Sequence, residues 1–88
     1  MGGYRTGDAV GVLEYGGELY AATLPDGPIA VLDGVAGLIW LEAVGGPAET
    51  LVERVAEATG AEPEVIRGEV ERFVAELVAR GLLVAERA

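Results

Sequence analysis

The chain is 88 residues long, enough for one small domain but not for two independent hydrophobic cores. Hydrophobic residues make up 51% of it and charged residues 24%, a balance typical of a folded globular protein. The 15 acidic residues outnumber the 6 basic ones, all arginine, and the formal net charge is −9. This charge disfavours nucleic acids and anionic membrane surfaces as partners, because proteins hold both with clusters of Lys and Arg.

The residue types that are missing narrow the chemistry further. The sequence contains no Cys, His, Ser, Asn, Gln or Lys. Disulfides, thiolate metal sites, a serine nucleophile, a lysine Schiff base and a serine-borne phosphopantetheine arm are therefore excluded. The carboxylates on the helices lack the spacing of a calcium loop, so we interpret them as solvated faces. We expect a protein with no enzymatic activity of its own, no cofactor and no metal.

No segment has the pattern of a targeting signal or a membrane span. The first eight residues contain one Arg and no apolar stretch, unlike a signal peptide. The longest apolar run, residues 35–41, is interrupted by Gly37 and is far shorter than the ~20 residues that a span needs. We therefore expect a cytoplasmic protein.

The first third of the chain predicts three antiparallel strands after a loose tail. Residues 1–8 are rich in glycine and polar residues and are expected to be flexible, so that the domain covers residues 9–84. Alternating patterns then predict strands, separated by turn signals at Gly16-Gly17 and Pro25-Asp26-Gly27-Pro28. The predicted strands are residues 9–15, 18–24 and 29–32.

The remaining residues predict three helices. Asp33 is expected to cap the first helix, which ends at Gly45-Gly46. Pro47 opens the second helix and Gly60 ends it. The third runs from about Glu62 to Gly81. Strands followed by helices indicate an α+β domain in which helices cover one face of a three-stranded meander.

The third predicted strand, Ile29–Leu32, is short, uncharged and at the edge of the meander. Natural edge strands usually carry Lys, Pro or a bulge, because unpaired N–H and C=O groups attract another strand. Here only Pro28 serves that purpose. Either the protein covers this edge itself, with its third helix or a second copy, or the edge receives an extended peptide.

The third predicted helix has a wide apolar stripe. Phe73 and Leu77 are expected in the core, as is Trp40 on the first helix. Unlike these core residues, the three valines at positions 70, 74 and 78 are expected to line a groove. Arg67 and Glu71 flank them, and their simplest interpretation is a solvated i, i+4 pair.

The order and spacing of these elements resemble a known family. The meander ends in Val31-Leu32-Asp33 and is followed by Gly34-Val35-Ala36-Gly37-Leu38-Ile39-Trp40 and then by Gly45-Gly46. The last helix closes in Phe73-Val74-Ala75-Glu76-Leu77, and Arg80-Gly81-Leu82-Leu83 follows. This pattern, from about Val10 to Leu83, resembles the PqqD-like family, the peptide-recognition elements of ribosomal natural-product biosynthesis.

The resemblance implies a fold similar to a small winged helix-turn-helix. It also implies that the leader segment of a precursor peptide binds as an added strand on the third strand, beside the third helix, and is presented to a radical-SAM enzyme, a cyclase or a leader peptidase. Carried over to this sequence, the peptide-binding residues are Pro28, Ile29, Ala30, Val31, Leu32, Arg67, Val70, Glu71, Val74 and Val78. Many relatives have Asn where Asp33 stands, and the acidic balance suggests a leader more basic than usual.

Three other functions are alternatives to peptide recognition. A structural subunit that dimerises through the same edge strand is not separated from a peptide binder by sequence. A winged-helix nucleic-acid binder conflicts with the charge of −9 and the absence of Lys. An acidic carrier protein would be all-helical and would need a serine, which this chain does not have.

Overall fold

The computed structural model describes residues 2–86. A three-stranded antiparallel sheet in the order β2-β3-β4 is followed by three helices, and a separate two-stranded sheet pairs β1 with β5. The strands are β1 (Gly3–Thr6), β2 (Val10–Tyr15), β3 (Glu18–Thr23), β4 (Ile29–Leu32) and β5 (Leu83–Glu86). The helices are α1 (Val35–Gly45), α2 (Leu51–Thr59) and α3 (Pro63–Ala79), with a 3₁₀ turn over Ala48–Thr50. The predicted α+β fold is confirmed.

The register of the larger sheet is set by the turn between β2 and β3. Gly16 and Gly17 have φ angles of 63° and 84°, which side-chain-bearing residues rarely adopt. Two such residues form the tight hairpin turn whose twist matches the flanking strands. Tyr15 then pairs with Glu18, and the ladder continues to Val10 opposite Thr23.

The core lies between one face of this sheet and the helices. Leu19 and Ala21 of β3 and Ala30 and Leu32 of β4 point to this inner face and are buried. Trp40 is 2% exposed, as predicted for a core residue. Leu82 and Leu83, which follow α3, also belong to the buried cluster. The helices contribute its remaining members: Ile39, Trp40, Ala43, Leu51, Val52, Val55, Val70, Val74 and Leu77.

The predicted loose tail is wrong for Gly3–Thr6, which form β1. This strand pairs antiparallel with β5, with Gly3 opposite Glu86 and Thr6 opposite Leu83. The Gly7 N–H also donates to the Leu82 carbonyl at 3.1 Å. Local sequence patterns missed both strands because each is completed only by a segment at the other end of the chain. Met1, the first residue of the predicted tail, lies outside the described residues.

The start of α1 also differs from the prediction. Gly34, not Asp33, occupies the N-cap position, with φ 53°, and no side chain caps the helix. The Asp33 carbonyl instead accepts from the Ala36 N–H at 3.0 Å. The chain makes its sharp change of direction at Gly34, where a positive φ carries little strain only for glycine.

Arg54 of α2 joins the ends of two helices. Its guanidinium donates to the Glu42 carboxylate at 2.8 Å, the Glu42 carbonyl at 2.7 Å and the Pro47 carbonyl at 2.7 Å, and its Nε donates to Thr50 Oγ1 at 3.0 Å. A Cβ on Gly46 would lie 2.9 Å from Arg54 Cζ, so only glycine leaves room for this arrangement. The planar fork of arginine satisfies several acceptors that lysine cannot reach together.

We expect Arg54→Ala to lower the free energy of unfolding by about 2 kcal/mol, because several acceptors lose a charged donor that is only 25% exposed. Urea denaturation followed by circular dichroism measures this. The matched control is Arg80→Ala, which removes an exposed pair with Glu76 at 3.9 Å and should cost under ~0.5 kcal/mol. Equal losses for both variants would contradict the role of Arg54.

Candidate functional site

The hydrogen-bond alternation of the sheet identifies which backbone groups of β4 are open. The Leu24 N–H donates to the Ala9 carbonyl at 2.6 Å, which continues the register of the β2–β3 ladder. In an antiparallel ladder hydrogen-bonded and non-hydrogen-bonded pairs alternate, so residues 18, 20 and 22 of β3 bond to β2. Residues 19 and 21 therefore bond to β4, where their partners are Leu32 and Ala30.

It follows that the N–H and C=O groups of Ile29 and Val31 point away from β3. No other strand of residues 2–86 pairs with this edge of β4. Their side chains point to the outer face of the sheet, where Ile29 is 68% and Val31 52% exposed. The intervening Ala30 is buried, and its backbone groups hydrogen-bond to β3. Of the predicted docking residues, Ile29 and Val31 thus carry the open groups.

A groove of about 540 Å³ lies between α1, α2 and α3. Buried Ile39, Val55 and Val70 form its floor, and half-buried Ile66 and Phe73 form one wall. We call it the α3 groove, and its other lining residues are Val35, Ala36, Thr59, Ala61, Glu69, Arg72 and Glu76.

The α3 groove opens close to β4 along the chain. Val35, which lines it, follows Leu32 by three residues. Three residues of chain span at most about 10 Å, so one end of the groove lies near the end of β4. The end of β4 and one end of the apolar groove therefore lie within about 10 Å of each other.

The predicted residues of α3 divide between two flanks of the helix. Arg67, Glu71 and Val74 line a smaller concavity, of about 270 Å³, together with Tyr4 of β1 and residues of the 3₁₀ turn and α2. Val70 lines both this concavity and the α3 groove. Val78 is half-buried and packs against the core.

The α3 groove includes residues that sequence reasoning left out. Phe73 was expected in the core and is instead half-buried in the wall of the groove. Ile66, Glu69 and Glu76 join it, the glutamates having been interpreted as solvated faces. Positions 66, 69, 70, 73 and 76 recur at helical spacing, which shows that they share a flank. The sequence lacked any signal for which flank of α3 lines the groove.

Arg67 has a defined partner on α2. Its guanidinium lies 3.0 Å from the Glu53 carboxylate, and both side chains are about half exposed. The hydrogen bond from Arg67 lowers the pKa of Glu53 and raises that of Arg67. The predicted i, i+4 pairing of Arg67 with Glu71 is thus replaced by a bridge between two helices.

The described part of the chain holds no group of three or more carboxylates close enough for a metal ion. Within the same residues, none of the helices is both long and apolar enough to cross a membrane.

A model of the family described as "Coenzyme PQQ synthesis protein D (PqqD)" matches residues 7–83 of the 88-residue chain. The chain therefore belongs to the PqqD family, and the resemblance found in the sequence is confirmed. Searches of curated proteins and of solved structures found no match. Membership suggests a non-catalytic accessory protein that meets a precursor peptide and an enzyme in the biosynthesis of ribosomally made peptides.

We expect Arg67→Ala to raise the pKa of Glu53 towards its ordinary value, because the hydrogen bond from Arg67 is the main cause of its lowering. Carboxyl-carbon NMR over a pH titration measures this shift directly. In the unaltered protein the pair stabilises the fold above the ordinary pKa of Glu53, and this contribution is lost as the pH falls through the lowered value.

The Arg67→Ala variant should not show that pH-dependent loss. Arg72→Ala is the control, since Arg72 has no role in the shift of Glu53. An unchanged pKa in Arg67→Ala would contradict the bridge.

Proposed function

We propose that this chain binds the leader segment of a ribosomally made precursor peptide as an added strand on β4 and presents it to a modifying enzyme or a leader peptidase. The observation that carries the proposal is the open edge of β4, where Ile29 and Val31 offer unpaired backbone donors and acceptors. Family membership supports a peptide as the partner.

The backbone of the peptide supplies affinity with little sequence preference. Each backbone hydrogen bond adds roughly 0.5–1.5 kcal/mol net, and two open residues of β4 offer up to four such bonds. Pro28 at one end and the turn into α1 at the other confine the added strand to about four residues. This length is too short to bind firmly through backbone bonds alone, so side chains have to contribute as well.

The α3 groove is the proposed receptor for those side chains on the inner side. Its floor is apolar, and burial of each leader side chain there contributes about 1.5–3 kcal/mol. Ordering a disordered leader takes back 2–5 kcal/mol or more, about the worth of one or two such side chains. Two or three groove contacts together with the backbone bonds suit a Kd between high nanomolar and tens of micromolar, an order-of-magnitude range.

The charged residues around the α3 groove favour a basic leader peptide. Glu69 and Glu76 stand beside Arg72 at the α3 groove, and Asp33 follows β4 directly. The groove surroundings are thus net acidic in a chain of charge −9. A leader with basic residues flanking its apolar ones suits this surface, and its binding should weaken as salt rises.

A second copy of this chain is the alternative occupant of the same edge. It would use the same open backbone groups of Ile29 and Val31. Two chains of charge −9 repel each other, whereas a basic leader is attracted, and this difference favours the peptide.

We expect Val31→Pro to weaken peptide binding by at least tenfold, because proline removes an N–H that points to the open edge. The proline ring would also occupy space that the added strand needs. The probes are peptides enriched from a random 12-residue display library, with Kd measured by calorimetry. Since the Val31 N–H bonds to no other strand, the thermal unfolding temperature should fall only slightly.

Val12→Pro is the matched control. Val12 is also an edge valine whose N–H points away from β3, but it lies on the opposite edge of the sheet. Equal weakening by both variants, or no peptide enriched at all, would show that β4 is not the docking strand. A dimer by sedimentation that Val31→Pro dissociates and peptide does not would favour the second copy.

A further inference from the structure

Two rows of residues on the outer face of the three-stranded sheet are free of charge across all three strands. One row of cross-strand neighbours is Leu13, Tyr20 and Val31. The next is Gly11, Ala22 and Ile29. Neither row contains a charged residue, although 24% of the chain is charged.

Leu24 and Glu18 both contact these rows. The side chain of Leu24 covers Gly11, where an added Cβ would lie 2.9 Å from Leu24 Cδ1. The Tyr20 hydroxyl donates to the Glu18 carboxylate at 2.8 Å, so the one polar group in the rows is already engaged. That hydrogen bond raises the pKa of Tyr20.

Both rows end at the open edge of β4. Val31 and Ile29 are the last residues of the two rows, and they are also the residues whose backbone groups point outward to that edge. A strand added there continues both rows, because side chains opposite Ile29 and Val31 lie on the same face as these two. The side chain between them points to the inner face, towards the helices.

We propose that Ile29 and Val31 are specificity-determining residues that select apolar side chains on the outward positions of the bound peptide. This inference rests on the proposed function. It makes the preferred ligand an unbroken apolar run of about four residues rather than an alternation of apolar and polar residues. Inward side chains meet the α3 groove, and outward ones cover the exposed aliphatic surface of Ile29 and Val31.

Apolar side chains are preferred at the outward positions because they cover apolar surface of Ile29 and Val31 that would otherwise stay exposed to water. Ile29 is 68% and Val31 52% exposed, and a polar neighbour would leave most of that surface in water. Each apolar or β-branched cross-strand pair is worth about 1.4- to fivefold in affinity. Two outward positions together should therefore change affinity by about two- to thirtyfold.

The experiment begins with a peptide enriched from the random 12-residue display library. NMR contacts from its side chains to Val31 or to Phe73 identify the outward and inward positions. Two further peptides replace the outward residues by Gln and by Glu. The unaltered protein should bind the parent peptide about two- to thirtyfold more tightly than the Gln peptide.

Val31→Lys should reverse this order of preference. Its ammonium group would face the outward positions, so the Glu peptide should gain affinity and the parent should lose it. Val12→Lys is the control, since it adds the same charge on the same sheet but at the other edge and on the inner face. It should leave the ranking of the three peptides unchanged.

The outcomes separate the two proposals. One outcome is a set of peptides that lose affinity for the Val31→Pro variant and yet carry random or polar outward residues. That result would overturn the specificity inference and leave the proposed function standing. The same conclusion follows if Val31→Lys and Val12→Lys change the ranking equally. Peptides insensitive to Val31→Pro would overturn the proposed function itself.

Discussion

The two-glycine turn between β2 and β3 is the constraint from which the arrangement of the sheet follows. With Gly16 and Gly17 at positive φ, Tyr15 must pair with Glu18. The alternation of hydrogen bonds then directs Leu19 and Ala21 to β4, where they pair with Leu32 and Ala30. Ile29 and Val31 are left with open backbone groups at the edge. A slip of one residue would exchange these roles and move every buried side chain to the outer face.

In the proposed site, the helices add an apolar groove to the open edge of β4. Val70, Val74 and Leu77 of α3 are buried, and this stripe separates two flanks of the helix. One flank forms the α3 groove, while the other meets β1 and α2. The Arg67–Glu53 bridge belongs to the second flank, so it serves to join helices. The division explains how one helix both completes the core and leaves an apolar groove beside it.

Much of the fold was predictable because it depends on local patterns. Alternation, the Gly16-Gly17 turn and the glycines after each helix placed β2, β3, β4 and the three helices. Which backbone groups of β4 are open depends in addition on how β4 pairs with β3, and no local pattern gives that register. β1 and β5 were missed because their pairing joins Gly3 to Glu86 across the whole chain. On α3, periodicity identifies an apolar stripe, but which flank lines the groove depends on how the helix is rotated against its neighbours. Phe73 was therefore assigned to the core.

The pairing of β1 with β5 also bears on how the domain connects to other chains. Because Gly3 lies opposite Glu86, the described ends of the chain meet within about 5 Å, at neighbouring positions of one small sheet. A tether attached at either end would thus leave the domain from nearly the same point. Swapping a fusion partner from one terminus to the other, or joining the ends and reopening the chain at a loop, would preserve the geometry between the tether and β4.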